Sequence, residues 1–248
     1  MRLRLNRKRK KNSLHEVVNR LPTLLLIESS TRSCSVALSR GNEIIFELNE
    51  ASDQFIHAEK LHLLVQESLV FLEKEMESSP WLDAVAVGAG PGSYTGLRIG
   101  LSVAKGLCFG LGIPLIGISS LEVLFHSFKT LDPLLFESQK VFWPMIDARR
   151  MEVYTMGMNA RAEIESPLQA MILDEELPFK KGICFGDGAE KASEFLEARG
   201  FQVAKEILPI AKGLLTPALL RFNQGTFEDA ALYEPDYLKE FQALKKKI

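Results

Sequence analysis

The segment Gly88-Ala-Gly-Pro-Gly-Ser-Tyr-Thr-Gly96 constrains the fold of this chain more than any other stretch. It follows a short apolar run, residues 84–87 (AVAV), and precedes residues 97–110, whose apolar and small side chains recur at helical spacing. Strand, glycine turn and helix make an α/β unit, and glycines allow positive φ and close backbone approach where the chain turns sharply. Ser93 or Thr95 is placed to cap the helix, whose free N–H groups would attract an anion. The segment matches neither standard phosphate motif. Gly90 to Gly96 is one residue too long for G-x-G-x-x-G, and no Gly-Lys-Ser/Thr closes it. It reads either as a tight strand-to-helix turn or as a ligand loop made of Gly90, Gly92, Ser93, Tyr94 and Thr95.

Three short apolar runs precede it, 23–27 (TLLLI), 34–38 (CSVAL) and 43–48 (EIIFEL), separated by Ser/Thr and Arg-Gly-Asn turns as in an antiparallel meander. Between 56 and 76 the apolar positions 58, 61, 65, 69, 72 and 76 predict an amphipathic helix. A strand at 115–118 and a helix from Ser119 complete the order βββαβα. The second half repeats it more loosely. Residues 141–146 (VFWPMI) end on Asp147 as the first strand ends on Glu28, and 151–158 and a stretch near Ala170 supply two more strands. Residues 183–185 then enter Gly186-Asp-Gly188 and a helix over 189–199, and 211–222 predicts a last helix. An acidic residue closing the first strand and a glycine turn closing the fourth recur in both halves, as in a duplicated α/β domain. The expected organisation is a basic extension over 1–20, a first domain over 21–130, a second over 131–226 whose last helix returns toward the first, and a tail over 227–248.

Hydrophobic residues make up 46% and charged residues 25% of the 248, which excludes the disordered, fibrous and disulfide-scaffold classes. Cys34, Cys108 and Cys184 lie far apart in apolar runs and read as buried thiols in a reducing compartment. Residues 1–20 hold eight Lys/Arg against Glu16 alone, so the remainder is acidic although the net charge is only -2. This arm is either an RNA contact or a solvated tail. No apolar stretch reaches the roughly 18–20 residues that span a membrane, and polar residues 12–19 stand where a signal peptide would have its apolar core. A cytoplasmic protein without membrane contact is expected.

Glu28-Ser29-Ser30-Thr31 sets a carboxylate and three hydroxyls at a strand-to-strand turn, which suits phosphate or metal contact and equally a plain turn. Asp147-Ala-Arg149-Arg150, at the matching place in the second half, offers cations to an anion or forms a solvated hairpin with salt bridges. A resident metal is not expected. His57 and His62 would sit about 140° apart on a helix, and there is neither a Cys-x-x-Cys nor a G-x-S-x-G nucleophile elbow.

The helices are more telling than the polar residues. In 97–111 one face carries Leu97, Gly100, Leu101, Ala104, Cys108 and Leu111, enough to pack on a sheet, yet the other holds Ile99, Ser102, Val103, Gly106, Phe109 and Gly110, with Arg98 and Lys105 at its edge. The helix at 56–76 has a similar second set in Leu63, Leu64, Val70 and Phe71. Helices apolar nearly all round are buried on two sides, against a partner protein or against the chain's own second half.

The blocks LLLIESSTRSCSVAL (24–38), GAGPGSYTGLRIGLSVAKGL (88–107), IPLIGISSLE (113–122), DARRMEVY (147–154), GDGA (186–189) and EPDYL (234–238) together resemble the TsaB family, also called YeaZ, over nearly all of 24–238. The resemblance implies an α/β fold of the ASKHA (actin/Hsp70-like, RNase H-like) type, with duplicated βββαβα domains. It implies a non-catalytic subunit in the synthesis of threonylcarbamoyladenosine next to the tRNA anticodon. That subunit would pair with a TsaD-like catalytic subunit that carries the metal, act beside a TsaE-like ATPase, meet tRNA through the complex, and form a homodimer when alone. No tightly bound cofactor is implied, and ATP or ADP is expected only at the complex interface. The family's contact helices fall on the two with surplus apolar faces. His57, Leu61, Leu64, Ser68 and Phe71 of the first, and Arg98, Ser102, Lys105, Gly106 and Phe109 of the second, are therefore the expected partner or dimer contacts. Glu28, Ser29, the glycine-loop residues, Asp147 and Arg149 are the expected anion or nucleotide contacts. The chain departs from the family at Glu28, where Asp is usual, and in the extension 1–20, which precedes the usual start. The competing reading is an enzyme, a nucleotide-dependent transferase or peptidase using Glu28, Ser29, Thr95 and Asp147.

Overall fold

A strand buried on both faces is apolar without alternation, and TLLLIE makes such a strand, β1 (Thr23–Glu28), every residue of which is buried. In the computed structural model, which describes residues 20–51, 57–75, 82–174, 177 and 180–238, β1 is the centre of a five-stranded sheet. It pairs antiparallel with β2 (Ser33–Arg40), which pairs antiparallel with β3 (Glu43–Ala51). On its other side it pairs parallel with β4 (Ala84–Gly90), which pairs parallel with β5 (Leu115–Ser119). Helices α1 (His57–Glu75) and α2 (Tyr94–Leu111) make the crossovers, and α3 (Ser120–Leu131) and the short α4 (Pro133–Glu137) lead to the second half.

There β6 (Val141–Asp147) takes the place of β1. It pairs antiparallel with β7 (Glu152–Asn159), which is followed by β8 (Ile164–Ile172), and parallel with β9 (Ile183–Phe185), which is followed by β10 (Gln202–Ala204). The sheet orders β3-β2-β1-β4-β5 and β8-β7-β6-β9-β10 are the same order twice. The halves differ in their helices. The described residues between β8 and β9 include no helix, and the single helix expected over 189–199 is broken at Ala192 into α5 (Asp187–Lys191) and α6 (Ser193–Ala198).

The helices between the sheets are exchanged in part, since Val123 of α3 stays with the first sheet. Leu121, Leu124, Phe125 and Phe128 of α3 pack with Phe142, Ile146 and Phe185 of the second sheet. The 3-10 turn Ala211–Leu214 and α7 (Leu215–Gln224) instead place Ala211, Leu214, Ala218 and Leu219 against Leu24, Leu26, Ala84, Ala86 and Ile116 of the first. Arg221 of α7 donates to both carboxylate oxygens of Glu122 of α3, at 3.2 and 2.8 Å, a bidentate pair between the exchanged helices.

All three cysteines are free and buried. Loss of hydration pushes the Cys108 thiol up to about 11 and the Cys34 thiol up to about 12, so both stay protonated. Among the described residues no helix is long and apolar enough to cross a membrane, and no three His, Cys, Asp or Glu side chains converge as metal ligands. The basic arm 1–19 lies outside the described residues.

Candidate functional site

The glycine segment is a tight turn, closed by the turn that follows β1. A Cβ on Gly88 would overlap the Glu28 carboxylate, one on Gly92 or Gly96 the carbonyl oxygens of Ser30 or Ser29, and one on Gly100 the Ser29 hydroxyl. The Ser93 N–H donates to the Ser30 carbonyl at 2.6 Å, and the Ser29 hydroxyl donates to the Gly96 carbonyl at 3.0 Å. α2 begins at Tyr94, three residues before the apolar pattern starts, because Ser93 Oγ accepts the Gly96 N–H and caps it. Glycine at every fourth residue therefore lets the turn after β1 approach closely, through its backbone at Gly92 and Gly96 and through its side chains at Gly88 and Gly100. Of the expected anion contacts, Glu28, Ser29 and Gly90 are buried in this chain, a correction for the Glu28 carboxyl and the Ser29 hydroxyl, while Gly92 is half-buried.

The Glu28 carboxyl accepts the Ser30 N–H on Oε1 at 2.6 Å, while Oε2 is buried with no partner. Burial pushes its pKa up, and the bonds from Ser30 and Ser29 offset part of that. A carboxyl with a raised folded-state pKa binds more protons folded than unfolded, so its contribution to stability is favourable below the unfolded value and is lost as pH rises toward the folded one. Glu28→Gln is accordingly expected to raise stability at pH 7 by about 2 kcal/mol, the order of an unmet buried polar group. The gain should vanish below about pH 4, where wild type is protonated in both states. Urea denaturation across pH 4–8 checks it, and an equal or lower midpoint for the variant at pH 7 refutes it.

In the second half the same device recurs at the surface. Asp147 Oδ1 accepts the Arg149 N–H at 2.7 Å, as Glu28 accepts from Ser30, and it also pairs with Lys191. The Asp147 N–H donates to Asp187 Oδ1 at 3.0 Å, and burial raises the Asp187 pKa. Arg149 and Arg150 stand exposed at the hairpin with φ of 71° and 52°. Arg32, after β1, reaches Glu190 of α5 at 3.9 Å, so the β1–β2 turn of one half borders the glycine turn of the other.

The expected contact residues separate into three groups. Leu61, Leu64 and Ser68 belong to the chain's own core, a correction with a plain cause. Leu61 and Leu64 are buried in one cluster with Val65 of the same helix and Leu101, Ala104 and Cys108 of α2, and the Ser68 hydroxyl donates back to the Val65 carbonyl at 2.7 Å. Phe71 is half-buried and stacked on Phe46 of β3, with centroids 4.6 Å apart. The side chain of His57 lies outside the described residues. The second helix keeps its expected outer face: Arg98, Ser102 and Gly106 are exposed, Lys105 is half-buried, and Phe109 is 89% exposed. Leu63 of α1 is 47% exposed, Leu111, expected on the inner stripe, is 45% exposed at the end of α2, and nothing lies within 4 Å of a Cβ on Gly106 or Gly110.

Residues 227–238, expected as part of a plain tail, form a strap along α2. Glu228 bridges to Leu115 of β5, and a Cβ on Gly117 would overlap the Tyr233 side chain. The Asp236 N–H donates to the Ala89 carbonyl at 2.8 Å, which places the Asp236 carbonyl against Gly90. The Tyr237 ring lies 4.9 Å from that of Tyr94. The only sequence signal for this strap is the EPDYL block; its apolar residues have no period. Thr95, beside it, is exposed.

A family model described as TsaD, tRNA N6-adenosine threonylcarbamoyltransferase, matches residues 50–179. A protein of Escherichia coli named tRNA threonylcarbamoyladenosine biosynthesis protein TsaB is 29% identical over 236 residues, covering 90% of this chain and 97% of that protein. Its namesake in Haemophilus influenzae is 31% identical over 244 residues, covering 90% and 96%. The solved structure of YeaZ from Pseudomonas aeruginosa superposes with a TM-score of 0.74 at 27% identity, over 88% of this chain and all of that one. The duplicated sheets are thus those of the ASKHA-type α/β fold.

Proposed function

The chain belongs to the TsaB (YeaZ) family, and from that membership we propose that it serves tRNA threonylcarbamoyladenosine biosynthesis as a non-catalytic subunit. It pairs with a TsaD-like catalytic subunit through the outer face of α2 and the adjoining edge of α1, and holds that subunit in its working arrangement beside a TsaE-like ATPase. Alone, it forms a homodimer through the same face. The assembly works on tRNA in the cytoplasm.

The observation that carries this reading is the α2 face itself. Phe109 stands 89% exposed beside Gly106 and Gly110, whose missing side chains leave open space, with Ser102 one turn away. An aromatic knob beside small residues suits the close approach of another helix, and an exposed apolar patch of this kind marks an interface. The sealed Glu28 and Ser29 weigh against the enzyme reading, because neither group can reach a substrate without the turn opening. For the same reason, ATP or ADP used by the assembly binds at the boundary with the partner, away from the inner side of the glycine turn.

The test is reconstitution. tRNA threonylcarbamoylation is measured with this chain, with a TsaD-like subunit, and with both, TsaE and threonylcarbamoyl-adenylate being supplied throughout. Activity is expected only from the combination, with a stable pair by light scattering. Transfer by this chain alone, abolished in Glu28→Ala, would establish the enzyme reading instead.

A further inference from the structure

Arg98 and Lys105 are the two cations of the α2 face, and both are held by neutral groups of the strap. Arg98 Nε donates to the Tyr237 hydroxyl at 3.0 Å, and its guanidinium lies over the Tyr94 ring, 4.0 Å from the centroid. Lys105 Nζ donates to the carbonyl oxygens of Ala231 and Tyr233 at 3.2 and 2.9 Å. Among the described residues no carboxylate pairs with either. A phenol and two carbonyls fix the position of a cation without cancelling its charge, in contrast to the ion pairs Arg221–Glu122 and Lys191–Asp147 elsewhere in the chain.

The geometry at Arg98 is that of a preorganised receptor. A guanidinium stacked on an aromatic ring and anchored through Nε keeps its planar fork fixed, so little side-chain entropy remains to be lost when a carboxylate binds. Tyr94 and Arg98 are four residues apart in the first turns of α2 and so share a face. Tyr237 reaches them from the other end of the sequence. Arg98, Ser102, Lys105 and Phe109 follow at spacings of four, three and four, one continuous stripe of the helix. A group bound at Arg98 therefore belongs to whatever covers Phe109, and that is a protein surface.

We propose that Arg98, held by Tyr94 and Tyr237, binds a carboxylate of the TsaD-like partner at the edge of the α2 interface, and that Tyr237 is its positioning residue. The inference rests on the pairing proposed above. It assigns the strap a part in partner recognition: the contact is made by α2, and its direction is set by a segment about 140 residues further along the chain. Lys105, anchored two turns away, supplies a second fixed charge for the same acidic rim.

The experiment measures affinity of the full chain for the TsaD-like subunit at several NaCl concentrations. Arg98→Ala is expected to weaken pairing about 30-fold at low salt, the size of a charged hydrogen-bonded contact, and to flatten the salt dependence. Arg98→Lys should restore the salt dependence without the full affinity, because the charge returns and the fork does not. Tyr237→Phe keeps the ring and loses the hydroxyl, with an expected loss of about 5-fold, the size of one neutral hydrogen bond. If Tyr237 acts through Arg98, the double variant Arg98→Ala/Tyr237→Phe binds no worse than Arg98→Ala alone. Additive losses would overturn the positioning role, and unchanged affinity in Arg98→Ala would overturn the carboxylate contact. If Gly106→Trp abolishes pairing while Arg98→Ala leaves it intact, the proposed function stands and this inference falls. If wild type does not pair at all, both fall.

Discussion

Gly106→Trp is expected to give a chain that folds as wild type does and no longer pairs. Gly106 is exposed and nothing stands within 4 Å of a Cβ at this position, so the new indole side chain leaves the helix into open space. Within a helix the replacement also removes glycine's backbone entropy cost, so stability should be equal or higher by up to about 0.5 kcal/mol. The same indole stands where a partner helix must approach α2, and the affinity loss is expected to exceed about 100-fold, the cost of an interface that cannot close. Thermal unfolding of the variant alone and light scattering with the TsaD-like subunit separate the two effects. Unchanged pairing would place the partner on another face, and a lowered Tm would show that Gly106 is packed.

Ten residues earlier on the same helix the expectation reverses. Gly96→Ala should destabilise the isolated chain by about 3 kcal/mol or more, at the upper end of overpacking costs. Its Cβ would overlap the Ser29 carbonyl, a backbone atom of the turn after β1 that cannot swing aside as a side-chain end can. Moving that turn would also break the Ser29 hydroxyl bond to the Gly96 carbonyl and disturb the buried Glu28 carboxyl. Gly100→Ala should cost less, because it meets the Ser29 hydroxyl, which can rotate. Urea denaturation of the two variants beside wild type gives the order, and an unchanged midpoint for Gly96→Ala would mean that the two turns are not locked together.

The central strands of both sheets were legible in the sequence because β1, β4 and β6 are nearly continuous apolar runs between turn residues, and the repeated acid-then-glycine pattern located equivalent strands in each half. What stayed hidden has specific causes. α2 starts at Tyr94 rather than Leu97 because, of the two cap candidates in the sequence, Ser93 and not Thr95 caps it, a choice that apolar periodicity does not register. β10 and α4 have three and five residues, too short for any period to emerge. The glycine loop was readable as a tight turn or as a ligand site, and the contacts that make it a turn come from Ser29 and Ser30, roughly 60 residues earlier in the chain. Leu61 sat on the inner stripe of α1 in the sequence itself, and Leu64 is buried because α2 lies beside α1, a long-range fact that the spacing within one helix does not contain. The strap was missed because its contacts are mostly made by main chain and tyrosine hydroxyl, not by a patterned apolar face.

The placement of α3 and α7 makes each half depend on the other. α7 closes the second half in sequence and packs beneath the first sheet, while α3 closes the first half and lies between both sheets, with Val123 in the first cluster and Leu121, Leu124, Phe125 and Phe128 in the second. Cut between α3 and α4, the first half would carry Phe125 and Phe128 with no sheet to cover them, and the second would carry Leu214 and Ala218 in the same condition. Neither repeat is a finished globule.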